Sequence, residues 1–427
     1  MSIESIIIIV INIFLAIILS VGVVPVFVWW ERRVSGFMQD RTGPNRCNIG
    51  PFRLGGLIQS FADMLKLVFK EDFTPSHIKY KFFFTIAPII LFFCTFLTFA
   101  VIPFADVLVI DGKENIIQAV PSELGIMWFI AFAGLSVYGI ILGGYSSGSK
   151  YGLLGSIRAS AQVISYEAAM GLAIISMILS YGSIHLTDMV NAQAGTYLGV
   201  IPMWGIFIQP IAAIIFIVCA FAETNRAPFD LAEGESELVA GHHTEYSAMR
   251  FGLFQVGEYA AMSASSAIIV TLFFGGYQIP WLDTSAIQSN INYVIIGIIV
   301  ILPIKAYILT TWMKKNNRSK NDDKSRDKET KIVTFAFWGL SLFIMAILIL
   351  FLLTGIGTNG INIVTTVIQV GTFLIKFFMM AFVFIWIRWT VLRFRYDQLQ
   401  MLGWKVLIPL ALLNIVVTAI VIVVGNN

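Results

Sequence analysis

Three ionisable side chains stand well inside apolar stretches of this chain. Glu167 follows Arg158 by nine residues in GSIRASAQVISYE, Glu258 follows Arg250 by eight, and Lys376 precedes Arg388 by twelve. On continuous helices those separations correspond to about 13, 12 and 18 Å of depth. An ionisable group at the centre of a membrane span costs about 2.5–3.5 kcal/mol on insertion scales, so such residues face a partner or a polar interior. Two chemistries fit them: an internal chain of protonatable groups, or a structural ion pair such as Glu167 with Lys376. Lys305 says less, because it can snorkel or pair locally.

More acids crowd the polar run 223–245, ETNRAPFDLAEGESELVAGHHTE. Glu223, Asp230, Glu233, Glu235, Glu237 and Glu245 cannot all ionise freely if the fold gathers them, since like charges favour proton retention. Arg226 and Pro228 interrupt a helix leaving the preceding apolar segment, and Gly234 and Gly241 favour a folded loop. A solvated acidic loop is the plainer alternative. His185, His242 and His243 do not make a metal-ligand set. Cys47, Cys94 and Cys219 are far apart and lack iron-sulfur or zinc spacing, so they read as buried apolar thiols.

The elements that must position these groups are membrane helices. A chain with 58% apolar and 12% charged residues, broken into runs of about 20 apolar positions, is excluded from the soluble globular class. The expected fold is an all-α polytopic transmembrane bundle of ten spans. They lie near 6–30, 82–105, 124–146, 161–182, 205–222, 250–275, 294–312, 332–355, 366–389 and 404–424. With this threading the segments 31–81, 146–160, 223–250, 313–331 and 388–405 share one side and hold 25 of the 28 Lys and Arg residues. The opposite loops hold only Lys113, and Lys305 and Lys376 lie within spans. The positive-inside rule makes the basic side cytoplasmic and puts both termini outside. The formal charge of +3 therefore reports topology, and no nucleic-acid patch is expected. The opening MSIESIIII lacks the basic start of a secretory signal and is expected to remain as the first helix.

One basic-side segment has an amphipathic helical pattern. In 54–70, Leu54, Leu57, Ile58, Phe61, Leu65 and Val68 form an apolar stripe opposite Gln59, Asp63, Lys66 and Lys70. This predicts a helix in the interface plane. It either packs on the bundle or frames a side opening through which an amphiphile enters from the lipid.

Several ordered blocks resemble one family. ERRVSGFMQDRTGPNR at 31–46, FADMLKLVFKEDFTP at 61–75, SKYGLLGSIRASAQVISYE at 149–167, AETNRAPFDLAEGESELVAG at 222–241, EYSAMRF at 245–251 and IRWTVLRFRYDQLQMLGWKVLIPL at 387–410 resemble the quinone-site membrane subunit, type H, of respiratory complex I. The resemblance implies a bacterial inner-membrane component of NADH:quinone oxidoreductase. Such a component carries no redox cofactor, forms much of the quinone tunnel, and couples quinone reduction to ion translocation. Iron-sulfur clusters and FMN then belong to partner subunits, and the absence of a nucleotide-binding glycine fingerprint places NADH chemistry there too. The implied partners are the hydrophilic-arm subunits around the quinone headgroup, the antiporter-like membrane subunits, quinone and the lipid bilayer. Quinone would enter between the first span, the interfacial helix and the sixth span.

Carried over by resemblance, Glu31, Arg32, Arg41 and Asp63 match polar positions of the quinone path. Glu167, Glu223, Glu233, Glu235, Glu237 and Glu258 match acids linking that path to the central membrane axis, Arg226 and Asp230 match charged neighbours, and Lys376 matches a lysine in the penultimate span. No catalytic or metal-ligating residue is implied. The chain departs from the family pattern after FFGGYQIPW. Residues 285–362 add two spans joined by MKKNNRSKNDDKSRDKETK, whose eight basic and four acidic residues carry a net charge of +4. The expected parts are a core, 1–284 and 363–427, and a peripheral hairpin, 285–362. The hairpin is either a lipid-facing ornament or a surface for another subunit or anionic lipid. Competing functions are the equivalent subunit of an energy-converting hydrogenase and a stand-alone ion transporter.

Overall fold

The computed structural model describes residues 3–425 apart from 42, 51, 198, 233, 235–237, 317–323 and 356. Among the described residues it contains nine helices long and apolar enough to cross a membrane, together with a shorter apolar helix, Pro210–Glu223. These ten fall on the ten expected segments, with three informative differences.

The first span continues past residue 30. Helix α1 (Ile3–Ile17) passes through a π turn at Ile18–Gly22 into α2 (Val24–Met38), where Pro25 sits in the first turn, a position that needs no donated amide. Glu31 and Arg32 are therefore helical and rigidly placed. Two-stranded turns on the opposite side of the bundle are the only sheet among the described residues.

Helices α3 (Ile58–Phe69), α4 (Lys81–Thr98), α5 (Gly125–Ser146) and α6 (Lys150–Tyr181) follow. Helix α6 begins eleven residues before 161, so part of the segment read as a loop is helix. Hydropathy marks where a span leaves the apolar layer, not where its backbone stops hydrogen bonding. The extension carries Gly155 against the acidic loop, where a Cβ would lie 3.0 Å from both the Ala232 carbonyl oxygen and Gly241 Cα.

The fifth segment is broken. After the short α7 (Leu186–Ala192), α8 (Gly205–Ile208) ends at Gln209 and α9 (Pro210–Glu223) restarts with a proline that has no amide to donate. Gln209 Nε2 donates to Ser180 Oγ and Thr418 Oγ1, both at 2.9 Å, while Asn414 Nδ2 donates to Gln209 Oε1 at 3.0 Å and Ser176 Oγ at 3.1 Å. The break is thereby clamped to α6 and the last span by polar contacts inside the bundle.

Helix α10 (Ala248–Phe273) is the central element, with Ser263, Ala264, Ser265, Ser266 and Ala267 all buried. Small side chains let neighbouring helices approach it closely. After α11 (Thr284–Ser289), α12 (Ile291–Asn316) and α13 (Lys324–Thr354) form the hairpin and lie mostly exposed. The chain ends with α14 (Thr358–Thr390), α15 (Tyr396–Met401) and α16 (Ile408–Gly425). Cys94 and Cys219 are buried as expected, but Cys47 is only half-buried, because it lies in the loop between α2 and α3 and not in a span.

Candidate functional site

Four elements converge on Glu31. It projects from α2 and is 7% exposed. Its Oε1 lies 2.8 Å from Arg388 Nη1 of α14, and its Oε2 accepts from Arg226 Nη1 at 3.2 Å and from the Tyr259 hydroxyl of α10 at 2.9 Å. The Arg226 guanidinium lies 3.7 Å above the Tyr259 ring centroid, and Nη1 also contacts Met262 Sδ at 3.5 Å. Burial alone would weaken the Arg226 charge, but Tyr259, Glu31 and Glu258 more than offset it and hold the guanidinium protonated. A buried ion pair survives only when further hydrogen bonds satisfy its remaining atoms. Here Tyr259 and Arg388 supply them to the carboxylate. Arg226 Nε and Nη2 have no hydrogen-bond partner among the described residues.

The turn that carries Arg226 also ends α9 at Glu223. Buried Gln162 pins it, donating through Nε2 to the Ala222 and Phe229 carbonyls at 2.6 and 2.7 Å. Glu223 lines a small cavity between α4, α5, α9 and α10 with the hydroxyls of Thr95, Thr98, Ser136 and Ser265. Its Oε2 is buried without a hydrogen-bond partner among the described residues. Glu167 of α6 packs against α5, where a Cβ on Gly134 would lie 2.5 Å from Glu167 Oε1. It is near enough to act electrostatically on Glu223. The structure thus gathers Glu31 and Arg226 in one buried cluster within electrostatic reach of Glu258, and sets Glu223, three residues before Arg226, within electrostatic reach of Glu167.

The described residues of the rest of the acidic loop are folded, not solvated. Asn225, Phe229, Asp230, Leu231, Ala232, Leu238 and His242 are buried, and Gly234 and Gly241 adopt positive φ of 38° and 57°, angles favoured by glycine. Asp230 pairs with Arg393 at 2.7 Å, and the Phe394 amide donates to the Pro228 carbonyl at 3.2 Å, so the segment after α14 clamps the loop. Burial, with repulsion from His243, pushes His242 down to about 3; it stays neutral against Phe254, 5.1 Å between ring centroids. Glu233, Glu235 and Glu237 lie outside the described residues.

On the basic side, Arg32 pairs with Asp63 of α3, and Asp63 also accepts from Gln59 at 3.0 Å. Helix α3 lies against α2 and α10, leaving Phe61, Met64, Leu65, Val68 and Phe69 exposed, as a helix at an apolar interface requires. Its start is fixed by the Gly55 carbonyl, which accepts from Trp29 Nε1 at 2.9 Å and from Arg33 Nε at 3.0 Å. Arg41 stands exposed on the loop between α2 and α3, with its side chain on Gln39.

Of the two readings offered for Lys376, the ion pair with Glu167 is not formed. Its Nζ donates to the carbonyls of Phe274 at 2.8 Å, Gly276 at 3.0 Å and Gln278 at 2.5 Å, and lies 4.5 Å from the Trp204 ring centroid. It caps the C-terminal end of α10, where helix carbonyls lack amide partners, and does not pair with Glu167. Sequence reasoning also missed Tyr259, Gln162, Arg388 and Arg393 as members of the site. The available signal was a polar or charged residue within or just beyond an otherwise apolar helix, inside the quoted motif blocks.

The family model for NADH dehydrogenase matches residues 10–317 and 331–419. The chain is 38% identical over 392 residues to the H-type subunit of NADH-quinone oxidoreductase from Flavobacterium psychrophilum, covering 92% of this chain and 90% of that one. It is 36% identical over 429 residues to the H-type subunit of NADH-quinone oxidoreductase from Bdellovibrio bacteriovorus, covering 96% and 94%. It is 38% identical over 397 residues to NADH-quinone oxidoreductase subunit 8 of Rhodothermus marinus, covering 92% and 91%. With near full-length matches and a multi-pass helical bundle around a buried charged series, the chain belongs to the NADH dehydrogenase family.

Proposed function

We propose that this chain is the membrane subunit of an NADH-quinone oxidoreductase that forms much of the quinone path and links quinone reduction to proton movement. The carrying observation is the buried cluster of Glu31 with Arg226 and Arg388, set between the Arg32–Asp63 pair beside α3 and Glu223, which lies within electrostatic reach of Glu167 inside the bundle. Quinone reduction takes up two protons per quinol, so carboxylates and guanidinia along its path change their protonation balance in each turnover. The isoprenoid tail requires apolar walls and the headgroup requires polar partners; the exposed apolar face of α3 and the polar residues beside it offer both.

We assign the roles by the family resemblance. Glu31, Arg32, Arg41 and Asp63 serve the quinone path. Glu167, Glu223, Glu233, Glu235, Glu237 and Glu258 carry proton coupling, tuned by Arg226 and Asp230. Lys376 belongs to the same set through the end of α10 that it holds. Electron transfer, with FMN and iron-sulfur clusters, takes place in partner subunits docked on the basic side. We place the protein in a bacterial inner membrane, with that side cytoplasmic and both termini periplasmic. Residues 285–362 are assigned as a peripheral unit on the core 1–284 and 363–427.

Glu167→Gln and Glu235→Gln test the coupling role. Each is expected to leave the complex assembled on a native gel while lowering proton translocation, or NADH-driven quinone reduction, at least tenfold. Assembled variants with normal rates of both processes would remove these acids from the mechanism.

A further inference from the structure

Three hydroxyls that line the cavity at Glu223 have their hydrogens committed elsewhere. Thr95 Oγ1 of α4 donates to the Leu91 and Phe92 carbonyls, both at 2.9 Å, Thr98 Oγ1 donates to the Thr95 carbonyl at 2.6 Å, and Ser136 Oγ of α5 donates to the Ala133 carbonyl at 2.7 Å. A hydroxyl bonded back to its own helix in this way has only lone pairs left for the space it lines. Ser265 of α10 completes the polar wall, and Glu223 Oε2 is buried in it with no hydrogen-bond partner among the described residues. No Lys, Arg or His lines the cavity among the described residues.

The chemistry of this wall selects a small cation. Three hydroxyl oxygens and Glu223 Oε2 offer four acceptors; a water has only its pair of hydrogens to share among them, whereas a cation attracts all four. Glu223 is the last residue of α9, at the helix end that favours positive charge, and Glu167 adds a second negative group within electrostatic reach. A carboxylate held from water without a partner is costly, and a bound cation removes that cost. The cavity of about 10 Å³ admits one water-sized body. Calcium takes about 6–8 oxygens and magnesium keeps several of its waters, more than this lining and volume provide. With Glu223 the single carboxylate in the lining among the described residues, a monovalent ion is neutralised and a divalent one is not.

We infer that this cavity binds one sodium ion, held by the Glu223 carboxylate and the hydroxyl oxygens of Thr95, Thr98, Ser136 and Ser265. The ion ties the end of α9 to α4, α5 and α10. The inference rests on the coupling role proposed for Glu223 and names sodium as an ion that this role can take. Binding is a property of the resting complex, so its test does not depend on turnover.

The test is equilibrium binding of radioactive sodium to the intact purified complex without NADH, at an ionic strength held constant with choline chloride. Sites in other subunits cancel when variants of this chain are compared with wild type, and assembly is checked by native gel. Glu223→Gln, which keeps the size and loses the charge, is expected to bind one sodium ion fewer per complex. Thr98→Val and Ser136→Ala, which each remove one oxygen, should weaken the binding of that ion at least fivefold. Ser160→Ala removes a hydroxyl of α6 that bonds the Ile157 carbonyl and does not line the cavity, and should bind as wild type does. Excess potassium should not displace the ion. Wild-type sodium binding in assembled Glu223→Gln, Thr98→Val or Ser136→Ala, or displacement by potassium, would overturn the sodium site and leave the cavity to water. Such a failure is distinct from failure of the coupling role, which shows in the turnover of Glu167→Gln.

Discussion

Glu31→Ala is expected to destabilise the bundle by about 3–5 kcal/mol, the usual cost of removing one partner from a buried ion pair. Arg226 is 4% exposed, and without the carboxylate both it and Arg388 lose their ion-pair partner inside the bundle. Neither guanidinium can shed its charge. Glu31→Gln keeps the shape and an acceptor for Tyr259 while losing the charge, so it should fall between wild type and alanine. Glu31→Ala with Arg226→Met removes both ends of one pair and should recover part of the loss. Thermal unfolding of the purified complex and native-gel assembly give the order. Wild-type stability in Glu31→Ala would show that the cluster does not hold α2, α10 and α14 together.

The second large effect is expected at Gly56, where backbone meets backbone. Its φ is +96°, and an added Cβ would lie 2.1 Å from the Pro44 carbonyl oxygen and 2.9 Å from its carbon. Neither atom belongs to a flexible side chain, so Gly56→Ala must displace the loop at Pro44 or the turn that begins α3. The backbone conformation alone costs a non-glycine residue about 1–3 kcal/mol. The Gly55 carbonyl that receives Trp29 and Arg33 moves with it. We expect quinone reductase activity to fall at least tenfold. Gly50→Ala is the control: its φ is +59°, but nothing lies within 4 Å of the added Cβ. It carries only the conformational part, and its activity should stay within twofold of wild type. Equal loss in both variants would assign the effect to loop strain and not to the contact with Pro44.

The positions of the helices were legible because each span leaves a local hydropathy signal. The site was legible only in part. Glu31, Arg226 and Tyr259 could be singled out or passed over one at a time, but their meeting joins residues 195 and 228 positions apart, and no spacing rule encodes that. The break at Gln209 was present in the Gln-Pro pair, yet a hydropathy window averages over it. Lys376 reads as a buried cation in search of an acid, because a helix-end carbonyl leaves no side-chain signature. The folded state of the acidic loop was foreshadowed by Gly234 and Gly241, whereas its clamp, Arg393 on Asp230, comes from the far end of the sequence.

The most direct test of the quinone-path assignment is NADH-dependent reduction of a short-chain quinone in native membranes bearing Arg41→Ala, with assembly checked by native gel. Arg41 is exposed, and its side chain bonds only the neighbouring Gln39 among the described residues, so its loss should change stability by no more than about 0.5 kcal/mol. An assembled complex with quinone reduction at least tenfold slower is expected, because the role proposed for Arg41 lies on the quinone path and not in the fold. An assembled complex with wild-type quinone reduction would contradict that role.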